Sequence, residues 1–431
     1  MHTLKILTSH HAMPNVKSVN TLFFENLLPV LQTRINVQMI WLIYQADKLS
    51  SSQQKDPNSI ILDIHNYKDA VELMKKENPD IIFAYADSGI IDYALSLAGK
   101  FLNIPVISGF HTYPDQKFRR RTTILKSIIL RSFDSSIPTD TSTSKKRFMR
   151  RGRFFIYKYI FLLRTQRAIN MGVIKIIKNF LHLVREYTDQ TKIYYDSRFA
   201  NTLHWLEGES LIEPLVNNGF QKSTLVLTGS PMYDTAFQKL QNYKPSLRKD
   251  NKIHVLLVTT SMYEHGFWTR KQRDTVTKEI VATIHQHKDE MSLAVKIHPS
   301  SEVLSDYESI INPIDPSIPI YQKGSILEFL DDADVIISFV TSSALVYALI
   351  ARKPIIICDF FPFDKDTFVE RGLALYCKSS SEIIPTIRKT LISNPASEKK
   401  VDYFIKDFFY KSDGRAAERL CDAIMTLIEK K

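Results

Sequence analysis

The chain has 431 residues, 44% of them hydrophobic and 24% charged, with a formal net charge of +11 at pH 7. That length exceeds one ordinary core and suits two domains of about 150–220 residues each, and the composition excludes a disordered or fibrous chain. Three cysteines, Cys358, Cys377 and Cys421, are widely spaced and odd in number. They exclude a disulfide framework and a zinc site, and they fit a reducing compartment.

Taken in chain order, the first half alternates strand and helix signals, the pattern of a parallel sheet with crossover helices. Leu4–Thr8 predicts a first strand, and Val16–Leu31 has apolar residues at near-helical spacing. Gln38–Ile43 predicts a strand. Tyr67–Lys76 predicts a helix that Asn78-Pro79 ends. Asp80–Tyr85 reads as a buried strand, Ile90–Phe101 as an apolar helix and Ile104–Ser108 as another strand.

Then the rhythm breaks. From Lys117 to Lys192 there are 19 Lys/Arg against 4 Asp/Glu, interleaved with Phe, Tyr and Ile, and Ser135–Ser144 predicts a flexible loop within them. The rest of the chain is weakly acidic, so the basic character belongs to this one insertion. Three readings stand for it: contact with an anionic membrane surface, contact with an anionic acceptor, or amphipathic helices packed on the core. No nucleic-acid module accompanies the charge, so no nucleic-acid partner is expected.

The α/β rhythm returns with a strand at Leu225–Thr228, Gly229-Ser230-Pro231 and a helix at Met232–Leu240. Gln241–Lys252 is polar, contains Pro245 and reads as an interdomain linker. Beyond it the predicted strands are His254–Val258, Leu293–Ile297, Ile318–Tyr321, Val335–Ser338 and Ile355–Cys358. The predicted helices are Arg270–His287, Ser342–Ala351, Ser381–Ile392 and Gly414–Glu429. The expected division is 1–240 as an acceptor domain with the insertion at about 117–192, 241–252 as linker and 253–412 as a nucleotide-donor domain. A terminal helix at 413–431 returns to the first domain. No apolar run approaches the roughly 18–20 residues that span a bilayer, and Met1–Thr8 lacks a signal-peptide pattern. The expectation is a cytoplasmic protein, peripheral at most on the inner face of the membrane.

Three segments carry chemistry. Val295-Lys296-Ile297-His298-Pro299-Ser300 is a strand running into a charged loop. In open α/β sheets ligands sit beyond the carboxyl ends of strands. An imidazole there can donate to an anionic oxygen, and Pro299 fixes the turn. Thr341-Ser342-Ser343 follows a buried strand and opens a helix, where a hydroxyl caps the end and free amides suit a phosphate. Ser412 and Asp413 are candidate caps for the last helix. Lys296, His298, Pro299, Ser300, Thr341, Ser342 and Ser343 are therefore the candidate phosphate-binding residues.

These segments, in this order, resemble the glycosyltransferase-B (GT-B) superfamily. The likeness is to bacterial sialyltransferases and polysialyltransferases, capsule Kdo transferases and CDP-glycerol glycerophosphotransferases, whose His-Pro motif and downstream Ser/Thr pair contact donor phosphate. The run Asp413-Gly414-Arg415-Ala416-Ala417-Glu418-Arg419 is similar to the opening of their last helix, and Gly229–Asp234 is similar to a segment before their linker. The resemblance implies an α/β fold of two Rossmann-like domains facing a central cleft. It also implies a sugar transfer from a nucleotide donor, cytidine favoured, to a surface polysaccharide or lipid-linked glycan. No metal or cofactor is expected; Asp364-Lys365-Asp366 has metal-motif spacing in a Pro-Phe-rich loop.

Inverting transfer needs a base for the acceptor hydroxyl. The candidates are Asp87, His111, Asp115, Glu264 and His265. Two other functions stay open. One is an isomerase resembling the non-hydrolysing UDP-N-acetylglucosamine 2-epimerases, although Val258–Gly266 keeps an acid and a histidine without their Arg pair. The other is a non-catalytic nucleotide-sugar or glycan-binding protein.

Overall fold

The structure is a computed structural model that describes residues 3–9, 19–43, 59–84, 89–110, 112, 144–188, 201–241, 250–264, 267–299, 301–361 and 366–429. The chain forms two compact units. One combines Met1–Thr112, Arg119–Thr235 and Ile405–Lys431; the other combines Tyr113–Phe118 and Ala236–Phe404.

The first unit runs β1 (Thr3–Thr8), α1 (Val19–Gln32), β2 (Asn36–Ile43), β3 (Ser59–Asp63), α2 (Ala70–Glu77), β4 (Ile81–Phe83), α3 (Ile90–Leu102) and β5 (Val106–Phe110). It continues with α4 (Ser144–Ala168), α5 (Val173–Thr188), β6 (Leu203–Leu206), α6 (Ile212–Asn217), β7 (Leu225–Leu227) and the start of α7 (Asp234–Gln241). Its seven strands pair in parallel in the order β3-β2-β1-β4-β5-β6-β7. Parallel strands are covered on both faces, and β2 and β4 accordingly read as near-continuous apolar runs. Helix α2 starts on Asp69, whose carboxylate accepts the amides of Val71 and Glu72 at 2.9 Å. It ends at Asn78 in the left-handed region, φ 49°, ahead of Pro79 as the sequence predicts.

The second unit runs β8 (Ile253–Val258), α8 (Arg270–His285), β9 (Met291–Lys296), α9 (Leu304–Ile311), β10 (Ile320–Tyr321) and α10 (Leu327–Leu330). Next come β11 (Val335–Ser338), α11 (Ser343–Ile350), β12 (Ile355–Cys358), α12 (Thr367–Glu370), β13 (Leu375–Cys377) and α13 (Ile383–Ile392). Its parallel sheet has the order β10-β9-β8-β11-β12-β13. Counted from its own first strand, that is 3-2-1-4-5-6, the Rossmann order, which the first unit repeats with one strand added. Helix α14 (Glu398–Phe409) contains the boundary between the units, and α15 (Ala416–Glu429) belongs to the first.

Strands β3, β6 and β13 and helices α6, α9, α10, α12 and α14 had no counterpart in the sequence reading. The basic segment holds two helices, α4 and α5; the Ser135–Ser144 loop lies outside the described residues except for Ser144, which begins α4. No described helix is long and apolar enough to cross a membrane. All three cysteines are buried free thiols.

Two motifs read separately in the sequence form one lock in the first unit. The Asp234 carboxylate, at the end of Gly229–Asp234, accepts the amides of Ala416 and Ala417 at 3.0 and 2.7 Å. The predicted local caps, Ser412 or Asp413, therefore give way to a residue 182 positions upstream. Asp413 accepts the Arg415 amide just ahead of the helix at 3.1 Å and the Arg419 guanidinium at 2.8 and 3.0 Å, and Arg419 Nε donates to the Thr228 carbonyl at 2.7 Å. Burial pushes the Asp234 carboxyl up to about 6, against the pull of the two amides and of Arg419, so it remains an anion at neutral pH and suits a helix N-terminus.

Gly109 on β5 faces Trp205 on β6 in register. A Cβ there would lie 2.0 Å from the indole, which is buried and stacks on Phe23 at 5.2 Å. Close packing leaves no room for that atom. Gly109→Ala is expected to cost about 1–3 kcal/mol through overpacking, read as a lower urea midpoint with an unchanged slope.

Candidate functional site

The two halves of the second sheet wind in opposite directions from β8 and β11, which makes the carboxyl ends of those strands its switch point, the place where open α/β sheets bind ligands. Thr259–Ser261 leave β8, His298-Pro299 follow β9, and Thr341–Ser343 follow β11. Adjacent strands lie about 4.8 Å apart, so β9 and β11, with β8 between them, are about 10 Å apart at the backbone.

The His-Pro corner is held from behind by Glu302. One carboxylate oxygen accepts the His298 amide at 2.6 Å and the Thr259 hydroxyl; the other accepts the Tyr307 hydroxyl at 2.6 Å. Glu302 is buried and so joins the loops after β8 and β9 to α9. The Ser301 amide donates to His298 Nδ1 at 3.3 Å, and the Ser301 hydroxyl lies 2.7 Å from the same atom. Ser301 is hydrogen-bonded in turn to Ser261. Because Nδ1 accepts, the neutral ring carries its proton on Nε2, which makes that atom the donor.

Lys296 is buried, and its ammonium donates to the carbonyls of Ile297 and Gln322, both at 2.9 Å. Burial holds it below the ordinary lysine range. Its charge thus ties the end of β9 to the segment after β10. Pro299 is exposed at the corner, and Ser300 lies outside the described residues.

At the end of β11, Thr341 gives both its donors to Asp366, amide and hydroxyl each at 2.6 Å. Asp366 also caps α12 through the Phe368 amide at 2.9 Å. Thr341 is fixed, and with it the start of α11. Ser342 is the N-cap residue of α11, yet its hydroxyl makes no capping bond. That oxygen is buried and has no hydrogen-bond partner; Thr260 Oγ1, past the end of the neighbouring β8, is in the same condition. Ser343 begins the helix and is exposed. Buried hydroxyls are ordinarily paired, and two unpaired ones at the switch point, beside the open amides of a helix start, are groups suited to accept a ligand.

Glu264, also beyond β8, pairs with the buried Arg273 of α8 at 3.3 Å through one oxygen; the other is buried and unpaired. Burial raises its proton affinity, the property of a group that can take a proton. Arg273 also bonds Asp274 at 2.9 Å and Asp306 at 3.1 Å. Asp87, His111, Asp115 and His265 lie outside the described residues. Beside His111, Thr112 is pinned by Glu207 of the first unit, which accepts its amide at 2.6 Å and its hydroxyl at 2.9 Å.

No protein-family model matches the chain, and no curated protein matches it. Solved structures do. The UDP-GlcNAc 2-epimerase of Neisseria meningitidis bound to UDP-GlcNAc is 12% identical, with 99% of this chain and 100% of that one covered and a TM-score of 0.52. A glycotransferase of kitacinnamycin is 10% identical, with 98% of each chain covered and a TM-score of 0.53. The wall teichoic acid polymerase TagF is 13% identical, with 99% and 89% covered and a TM-score of 0.50. These likenesses establish the fold. It is a GT-B-type pair of Rossmann-like α/β domains.

Glu302, Thr260 and Glu207 escaped the sequence reading, and Asp366 entered it only through the metal-motif spacing of Asp364-Lys365-Asp366, not as the partner of Thr341. Glu302 had a local signal, an acid four residues after His298 and just ahead of α9. Asp366 also had one, as an acid before a short helix. Thr260 had none beyond standing after a predicted strand, and Glu207 had none, because β6 ahead of it is itself illegible in the sequence.

Proposed function

We propose that the chain is a glycosyltransferase that moves a sugar from a nucleotide donor, a cytidine nucleotide favoured, to a surface-polysaccharide or lipid-linked glycan acceptor. The observation that carries it is the pair of buried, unpaired hydroxyls, Ser342 Oγ and Thr260 Oγ1, at the switch point of the second unit. A diphosphate placed there would take those hydroxyls, the amides opening α11 and, from the strand beyond β8, the imidazole of His298. Donors arranged before the reaction stabilise charge as it develops on the leaving phosphate, commonly the largest catalytic contribution. Glu264 is the described candidate for the acceptor's base, and the first unit would take the acceptor.

The residues fit an anionic ligand bound by hydrogen bonds, and no step of this reading runs through a metal. Melting in the presence of CMP, CDP, UMP, UDP and GDP tests the donor site directly. A nucleotide at 100 times its Kd stabilises by about 2.7 kcal/mol, so one base should raise the melting temperature, and Ser342→Val, which removes a donor worth about 1 kcal/mol, should shrink that rise. No shift with any of the five would remove the reading.

The isomerase reading draws on Glu264, a half-buried carboxylate of raised proton affinity beside Arg273, because epimerisation at a sugar carbon requires a group that takes a proton. A transferase releases nucleotide only with acceptor present. An isomerase interconverts sugars without one and, in heavy water, incorporates deuterium.

A further inference from the structure

Helix α5 presents three sectors. Asn179 and Leu183 are buried against the first unit, and Asn179 bonds Tyr93 at 3.0 Å. Lys175, Lys178 and Arg185 form a basic sector. Between the two lies an apolar stripe, Val173, Ile174, Ile177, Phe180 and Leu181, at the i, i+1, i+4, i+7, i+8 spacing of one helix face. These side chains are exposed: 70% for Val173, 73% for Ile174, 52% for Ile177 and 59% for Leu181. Tyr159 of α4 packs on Phe180, ring centroids 5.0 Å apart, and Ile156 and Ile160 beside it on α4 are exposed too. The apolar strip therefore extends onto a second helix, whose sequence has nine Lys/Arg and no Asp/Glu.

We infer that this face of α5 and the adjoining part of α4 form a docking surface for an anionic lipid bilayer, with the apolar stripe entering the headgroup boundary and the basic sector on the lipid phosphates. An exposed apolar stripe bordered by cations on a helix too polar to span is the form of an interfacial helix. Charge selects the occupant. A second copy of this chain would bring its own Lys/Arg-rich α4 against the first, whereas an anionic leaflet attracts such a segment. Size selects it as well. A stable protein interface takes about 20–30 residues a side, and this stripe offers far fewer. Nucleic acid would use the cations and leave the isoleucines in water. The inference stands apart from the nucleotide reading, since none of these residues belongs to the second unit.

Flotation of the full chain with vesicles tests it. Phosphatidylcholine vesicles containing 30% phosphatidylglycerol should carry the protein, and phosphatidylcholine alone should carry about tenfold less or lower still. Ile174→Asp with Leu181→Asp should reduce binding at least about tenfold at an unchanged melting temperature, because both side chains already face water. Lys175→Gln with Lys178→Gln should weaken it and flatten its salt dependence. Equal flotation of the aspartate variant would overturn the apolar contact. So would a wild-type dimer in sedimentation velocity that Leu181→Asp converts to monomer, which would assign the face to a second copy. Absence of flotation on both vesicles overturns the proposal outright, and the nucleotide melting shifts are untouched by either result.

Discussion

His298→Ala is expected to lower kcat by about 10²–10³-fold, the usual cost of removing one preorganised donor from a developing anion. The loss should fall on turnover rather than on folding. Glu302 grips the corner through the His298 amide at 2.6 Å, and alanine keeps that amide. The links from Glu302 to Thr259 and Tyr307 are likewise independent of the imidazole. The ring therefore adds a donor to a corner that holds without it. If Nε2 acts on the leaving phosphate only as charge builds, kcat and kcat/KM fall together and KM for the donor moves little. The assay is acceptor-dependent nucleotide release, using the nucleotide sugar whose base gives the largest melting shift. Ser301→Ala should fall in the same direction by less, because it loosens the hydrogen bond that keeps Nδ1 an acceptor. An unchanged rate for His298→Ala, with the fold intact, would take His298 out of the mechanism.

What the sequence disclosed follows from where each signal is stored. Val335–Ser338 and Ile355–Cys358 were legible because a parallel strand covered on both faces is a plain apolar run. Leu203–Leu206, four residues with a histidine among them, and Leu375–Cys377, three residues long, are too short to stand out from loops. The positions of His298 and Ser342 at strand ends could be read from the chain. What holds them could not, because Thr259 and Glu302 are 43 residues apart and Thr341 and Asp366 are 25 apart. The last helix makes the same point against a correct local rule. Ser412 and Asp413 are good caps by type, but Asp234, 182 residues upstream, takes the amides of Ala416 and Ala417. Hydrogen-bond satisfaction is decided by the fold, and a chain read residue by residue shows only the groups in need of partners.

A drop from pH 7 to pH 4.5 is expected to cost the first unit about 3 kcal/mol through His204 alone. The residue is fully buried on β6 between Phe110 and Phe220, ring centroids 5.4 and 5.1 Å away. Its Nε2 accepts the Asn201 amide at 2.8 Å, so the neutral ring keeps its proton on Nδ1, which is buried and unpaired. A second proton would place a charge among aromatic rings with no acceptor for it. Burial, with a smaller push from Lys100, lowers the ring from 6.5 to about 3. Above pH 6.5 the ring is neutral whether folded or unfolded and has no effect on stability. Below it the unfolded chain binds a proton that the folded one refuses, so stability falls steadily until the folded ring itself titrates near 3. His204→Gln keeps an acceptor for the Asn201 amide and cannot be protonated in this range. It should be less stable at pH 7, through poorer packing between the phenylalanines, yet lose about 3 kcal/mol less than the wild type on acidification. Urea titrations of both proteins at pH 7 and 4.5 measure that difference with every other titrating group held in common. Equal losses would mean that the ring finds a partner for its charge, and that the core around β6 opens before the acid reaches it.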